Sequence, residues 1–166
     1  DEHPVWLPDA TIACQTHAEP LHESEPARIA ILSARTGREL KRLASKFEDL
    51  MFGFAVHDSA FYFRACHRGC IDVFRATAPG GERLTPGGYD FWDVRFGGGR
   101  AVLQGAGPTL PGALFTLDLA SGALSLLLDP NERWRRRVGL VEPEEFQVVV
   151  DGREIQGWAF LPPHRE

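Results

Sequence analysis

An all-β architecture, a partial β-propeller of about three four-stranded antiparallel blades, is the fold this sequence predicts. Three observations predict it. A set of short apolar stretches recurs about every 42 residues: Ile29, Asp72 and Leu114 hold one position of the repeat, and Leu43, Leu84 and Leu127 hold another. Within those stretches apolar residues alternate over short spans bounded by turn formers, the pattern of half-buried strands. The composition, with 17 Gly, 12 Pro and 11 Phe, suits tight turns and many short strands better than a helical bundle. Several short strands per unit at this period are a propeller-blade signature.

The repeat places blades at about 1–46, 47–88 and 89–129. Each begins its readable part with an apolar strand after a turn: Thr11 to Cys14, Ala60 to Phe63, and Arg100 to Leu103. An alternating strand follows: Arg28 to Leu32, Ile71 to Arg75, and Ala113 to Leu119. A Gly-containing turn and a closing strand end the unit: Thr36 to Leu40, Pro79 to Leu84, and Ser121 to Leu126. Pro8-Asp9-Ala10, His57-Asp58-Ser59 and Gly97-Gly98-Gly99 precede strands and can reverse the chain. Some 3.6-residue spacing occurs at Leu40, Leu43, Phe47 and Leu50, whose first half is read as the closing strand and the rest as a connection.

Three blades cannot close a ring, which takes about 4 to 8. The expectation is exposed apolar blade faces, hence absent blades or a ring closed by oligomerisation. The composition shifts at Glu132-Arg133-Trp134-Arg135-Arg136-Arg137, so residues 130–144 are predicted to be a linker. Residues 145–166 then predict a hairpin. Asp151-Gly152 joins two apolar-rich runs, the strongest short hairpin signal, and Pro162-Pro163 stops the second strand. A two-stranded hairpin is marginal alone in water, so it is expected to dock on something else.

The formal charge of −5 argues against nucleic-acid binding. No run approaches the ~18 apolar residues of a membrane helix. Three cysteines, Cys14, Cys66 and Cys70, are too few for a disulfide scaffold, and a reducing cytoplasmic setting is expected. The chain opens on Asp1, so a fragment or a processed product is expected.

The chemistry-bearing motifs are few. Cys66-His67-Arg68-Gly69-Cys70 offers three metal-type ligands, but a structural zinc site needs a fourth, and a hairpin turn is expected there. His17, Glu19, His22, Glu23 and Glu25 read as a solvated acidic loop broken by Pro26. Gly97-Gly98-Gly99 lacks the Lys-Ser or Lys-Thr of a phosphate loop, and Gly105 with Gly107 lacks the third Gly of a dinucleotide fingerprint. No metal and no cofactor is expected. Trp6, Phe61, Phe63, Phe91, Trp92 and Phe96 fall at blade positions and are expected to pack blade to blade. None of the six serines has Gly on both sides in a Gly-x-Ser-x-Gly elbow, so no catalytic residue is assigned.

One segment carries a family resemblance. Glu142-Pro143-Glu144-Glu145-Phe146, with Asp151-Gly152, Ile155, Gly157-Trp158 and the closing Pro162-Pro163, resembles the passage from propeller to hydrolase domain in the prolyl oligopeptidase family of serine peptidases, and within it the acylaminoacyl-peptidase branch. Pro4-Val5-Trp6-Leu7-Pro8-Asp9-Ala10 resembles that family's Trp-Ser-Pro-Asp-Gly blade start, with Leu7 and Ala10 as departures. Gly80-Gly81-Glu82-Arg83-Leu84-Thr85-Pro86-Gly87 resembles a blade end of that family. The resemblance implies a seven-bladed propeller that covers an α/β-hydrolase domain and admits short peptides. On that basis residues 145–166 are the first hairpin of an otherwise absent hydrolase domain. Glu142, Pro143, Phe146, Asp151, Gly152, Gly157 and Trp158 are the expected interdomain hinge and docking residues. The expected partners are the absent blades, the hydrolase domain and short peptide substrates. The rival expectation is a stand-alone propeller-type binding or scaffold module that closes its ring by oligomerising.

Overall fold

The computed structural model describes residues 2–17 and 25–162. The chain divides into two compact units, residues 1–86 and 87–166. Among the described residues, three four-stranded antiparallel blades of a partial propeller account for twelve of the fourteen strands.

The first unit holds two blades. One runs β1 (Glu2–Trp6), β2 (Thr11–Thr16), β3 (Arg28–Ser33) and β4 (Glu39–Leu43), paired in chain order. The other runs β5 (Met51–His57), β6 (Ala60–His67), β7 (Cys70–Ala76) and the three-residue β8 (Gly81–Arg83), likewise in order. Alternation along these strands sends Ala13, Ile29 and Leu43 of one blade and Phe63, Ala65 and Phe74 of the other into one buried cluster. Phe47, in the connection between the blades, sits edge-on to Phe63 and Phe74 at 4.8 and 5.1 Å between ring centres. The backbone of that connection is held as well: Ala44 N–H donates to the Thr77 carbonyl and Lys46 N–H to that of Pro79, at 2.9 and 2.7 Å.

β8 is shorter than its counterparts, and a side chain continues its work. Leu84 N–H still donates to the Val73 carbonyl at 2.8 Å. Val73 N–H then donates at 3.0 Å to the Thr85 hydroxyl oxygen. The Thr85 hydroxyl in turn donates to Asp72 Oδ1 at 2.5 Å. Asp72 is fully buried, with Arg83 Nη1 3.7 Å from its Oδ2.

The second unit holds the third blade: β9 (Asp90–Gly97), β10 (Arg100–Gly107), β11 (Leu110–Asp118) and β12 (Leu124–Leu128). Its buried side is built from Phe91, Ala101, Leu103, Phe115 and Leu117. Asp118 closes the β11–β12 turn. Its Oδ1 accepts the Ser121 N–H and hydroxyl at 2.9 and 2.8 Å and the Ala120 N–H at 3.1 Å. The Ser121 bonds, backbone first, hold this carboxyl below its usual pKa.

The first strand of every blade, β1, β5 and β9, was not legible as a strand. Each carries a register shift against its neighbour, between Glu2 and Val5, between Met51 and Phe54, and opposite Gln104 and Gly105. A bulge adds a residue and breaks the two-residue period that reveals a strand. The aromatic residues divide. Phe63 and Phe91 are buried, whereas Trp6 is 70% exposed and Trp92 42% exposed in this chain.

After β12 the chain forms one short helical turn, α1 (Glu132–Arg135), where a plain linker was expected. A separate two-stranded sheet follows, β13 (Glu144–Val150) and β14 (Arg153–Ala159). Among the described residues no helix is long and apolar enough to cross a membrane.

Candidate interdomain docking site

The residues expected to form the hinge and docking surface lie on two consecutive pieces of the second unit. The first piece is the arm 129–143. Asp129, at its start, accepts the Asn131 N–H on Oδ1 at 2.9 Å and Arg135 Nε on Oδ2 at 3.0 Å. Asn131 Nδ2 donates to the carbonyls of Pro111 and Gly112, at the start of β11, at 2.9 and 3.3 Å. At the far end the hydroxyl of Thr109 donates to the Glu142 carboxylate. Pro143 then joins Glu142 to the first residue of β13.

The second piece is the hairpin. Asp151 and Gly152 have φ of 50° and 75°, so both central turn residues are left-handed, which Asp tolerates and Gly adopts freely. The register pairs Val150 with Arg153, Val148 with Ile155, Phe146 with Gly157 and Glu145 with Trp158. Alternation therefore puts Phe146, Val148, Val150 and Ile155 on one face. The opposite face carries Glu145, Gln147, Gln156 and Glu154 with Val149 and Trp158. There Gln156 Nε2 donates to Glu145 at 2.8 Å. The Phe146 ring lies across Gly157 so closely that a Cβ there would stand 2.5 Å from Phe146 Cζ. Only glycine admits this contact, which covers backbone that would otherwise face water.

All of β13 is exposed, and Trp158 is 41% exposed. Isolated hairpins do not keep such a face in water by preference. Exposed large apolar side chains concentrate here and on β12, at Leu126, Leu127 and Leu128. Chemically the arrangement can pair and pack; it presents no nucleophile. The structure brings Phe146 and Gly157 into contact and sets Asp151 and Gly152 in the turn. Glu142 and Pro143 stand apart from them, at the arm's end. The arm's own anchors, Thr109, Asp129, Asn131 and Arg135, were not singled out. Asp129-Pro130-Asn131 carried a local signal, since Asp and Asn side chains bind the backbone two residues on. Thr109 carried none, because its partner is 33 residues away.

The other motifs hold no site. The register sets Cys66 opposite Ile71 and Cys70 opposite His67, so the two thiols point to opposite faces of the blade. Cys14 is buried, and burial pushes its thiol above the usual value, away from the reactive thiolate. Glu19, His22 and Glu23 lie outside the described residues, as does Pro163. His17 Nδ1 lies 3.3 Å from the Glu25 carbonyl oxygen. Among the described residues no cluster of three or more His, Cys, Asp or Glu is placed to hold a metal.

No protein-family model and no curated protein sequence matches the chain. Solved structures do. The acylaminoacyl peptidase of Pyrococcus horikoshii superposes with a TM-score of 0.76 at 17% identity, over 94% of this chain and 24% of its own. AtxE2 isopeptidase in its apo form gives 0.74 at 18% identity, over 99% of this chain and 26% of its own. A puromycin hydrolase gives 0.57 at 18%, over 98% and 25%. At such identities the likeness establishes the fold. The chain spans about a quarter of the length of the structures it matches.

Proposed function

We propose that this chain is the lid part of an acylaminoacyl-peptidase-like serine peptidase of the prolyl oligopeptidase family. In this reading the blades gate access to a catalytic domain encoded beyond residue 166, and short or N-acylated peptides are the substrates. The hairpin is the first element of that catalytic domain and ties the lid to it. Nucleophile, base and oxyanion donors are supplied there, since no serine here sits in a Gly-x-Ser-x-Gly turn.

One observation carries the proposal. An amphipathic hairpin with a fully exposed strand follows a blade array across one short arm, within a fold shared over 94% of the chain with a peptidase. A self-sufficient binding module has no use for such a hairpin. The test is to express the 166-residue chain and, separately, the product of its continuous reading frame. A fluorophosphonate serine probe and an N-acyl peptide amide are offered to both. Labelling and turnover are expected from the longer product alone. Turnover by the 166 residues that disappears on changing one of their serines would sink the proposal, as would a reading frame without a downstream Gly-x-Ser-x-Gly. Size-exclusion chromatography addresses the scaffold alternative: a stable closed ring of identical 18.4 kDa chains would favour it.

A further inference from the structure

A segment between a lid and a catalytic domain is expected to flex along its length, yet this one is fastened at both ends to one corner of the third blade. The corner is residues 109–112, the β10–β11 turn and the start of β11. Asn131 grips the Pro111 and Gly112 carbonyls, and Thr109 holds Glu142. Between these anchors Arg135 is tied to the nearly buried Asp129 side chain. The N–H groups of Arg135, Arg136 and Arg137 donate to the carbonyls of Asn131, Glu132 and Trp134 at 2.8 to 3.0 Å. Leu140 N–H donates to Val138 at 3.0 Å, and Leu140 and Val141 are half-buried. The next ladder begins at once, with Glu144 opposite Ala159.

We infer that residues 129–142 move as part of the third blade and that the pivot between blade and hairpin is Pro143 alone. The pyrrolidine ring fixes φ at Pro143, and its bulk keeps Glu142 extended. The free rotations left are ψ of Pro143 and φ of Glu144. The hairpin therefore swings about a nearly fixed axis instead of wandering on a tether. This deepens the lid reading and rests on it for its use: the gate opens at residue 143, with the arm carried along by the lid.

Hydrogen exchange and amide relaxation on the 166-residue chain test this without any activity assay. Arg135, Arg136 and Arg137 amides are expected to exchange as slowly as those at the ends of β11. Asn131→Ala removes two side-chain hydrogen bonds and is expected to speed their exchange about tenfold or more, with the hairpin amides unchanged. Pro143→Gly is expected to leave the arm protected and to increase the motion of Val148 and Ile155 relative to the blade. Exchange at unprotected rates across 131–142 in the unaltered chain overturns the inference. So does a Pro143→Gly hairpin no more mobile than before. A protected arm in a chain whose reading frame holds no hydrolase domain removes the lid reading and leaves the pivot standing.

Discussion

Thr85→Val tests the clasp that completes the second blade. The substitution keeps shape and removes one hydroxyl. That hydroxyl accepts from Val73 N–H at 3.0 Å and donates to Asp72 Oδ1 at 2.5 Å, and both partners are buried. Valine leaves each without its bond. An unsatisfied buried polar group costs ~1–3 kcal/mol, more when charged, so the pair is expected to cost about 3 kcal/mol. That is a large part of the ~5–15 kcal/mol that holds a typical domain. With an m-value of about 2 kcal/mol/M, the urea midpoint falls by about 1.5 M. Thr85→Ser keeps the hydroxyl and loses a methyl, about 1 kcal/mol. A valine variant within about 0.3 M of the unaltered chain would refute the reasoning. A serine variant as damaged as the valine one would also refute it, because the hydroxyl would then not be what matters.

Gly157→Ala drives a methyl into the Phe146 ring and is expected to cost ~1–3 kcal/mol of hairpin stability, read by Trp158 fluorescence; adding Phe146→Leu should recover part of the loss. Phe63→Ala opens a void against Phe47 and Phe74 and should cost ~3–5 kcal/mol in chemical denaturation. Asp118 gives a pH signature. Its folded pKa is depressed, so its contribution is complete above the free carboxylate's ~3.9 and is lost as the pH falls below that, through the folded value. Denaturation midpoints of the unaltered chain and Asp118→Asn should therefore converge in acid and separate above about pH 4.

Strands with several consecutive residues of regular apolar alternation were readable. β2, β3, β6, β7, β10 and β11 all fall where apolar periodicity placed them. β1, β5 and β9 each carry an extra residue within a short apolar stretch and escaped, and β11, whose extra residue lies between Leu110 and Ala113, was read only from Ala113 on. The turn and closing strand expected over Pro79 to Leu84 hold the strand Gly81–Arg83, and after the Leu84 N–H bond to Val73 the Thr85 side chain takes over the pairing. At the docking site the turn Asp151-Gly152 was local chemistry and could be read. The grip of Thr109 on Glu142 joins residues far apart in sequence and could not.

The sequence by itself determined the blade period, the all-β class, the hairpin and the want of a serine elbow in these 166 residues. Each depends on neighbours in the chain: side-chain alternation, turn residues and motif spacing. Only the tertiary structure decided which residues satisfy one another across the folds of the chain. It fastened the arm to the corner of the third blade, laid Phe146 over Gly157 and sealed Asp72 beneath Thr85. Hydrogen bonds and close contacts depend on distance in space, and a buried polar group takes the partner that the fold brings within about 3 Å, wherever that partner stands in the chain.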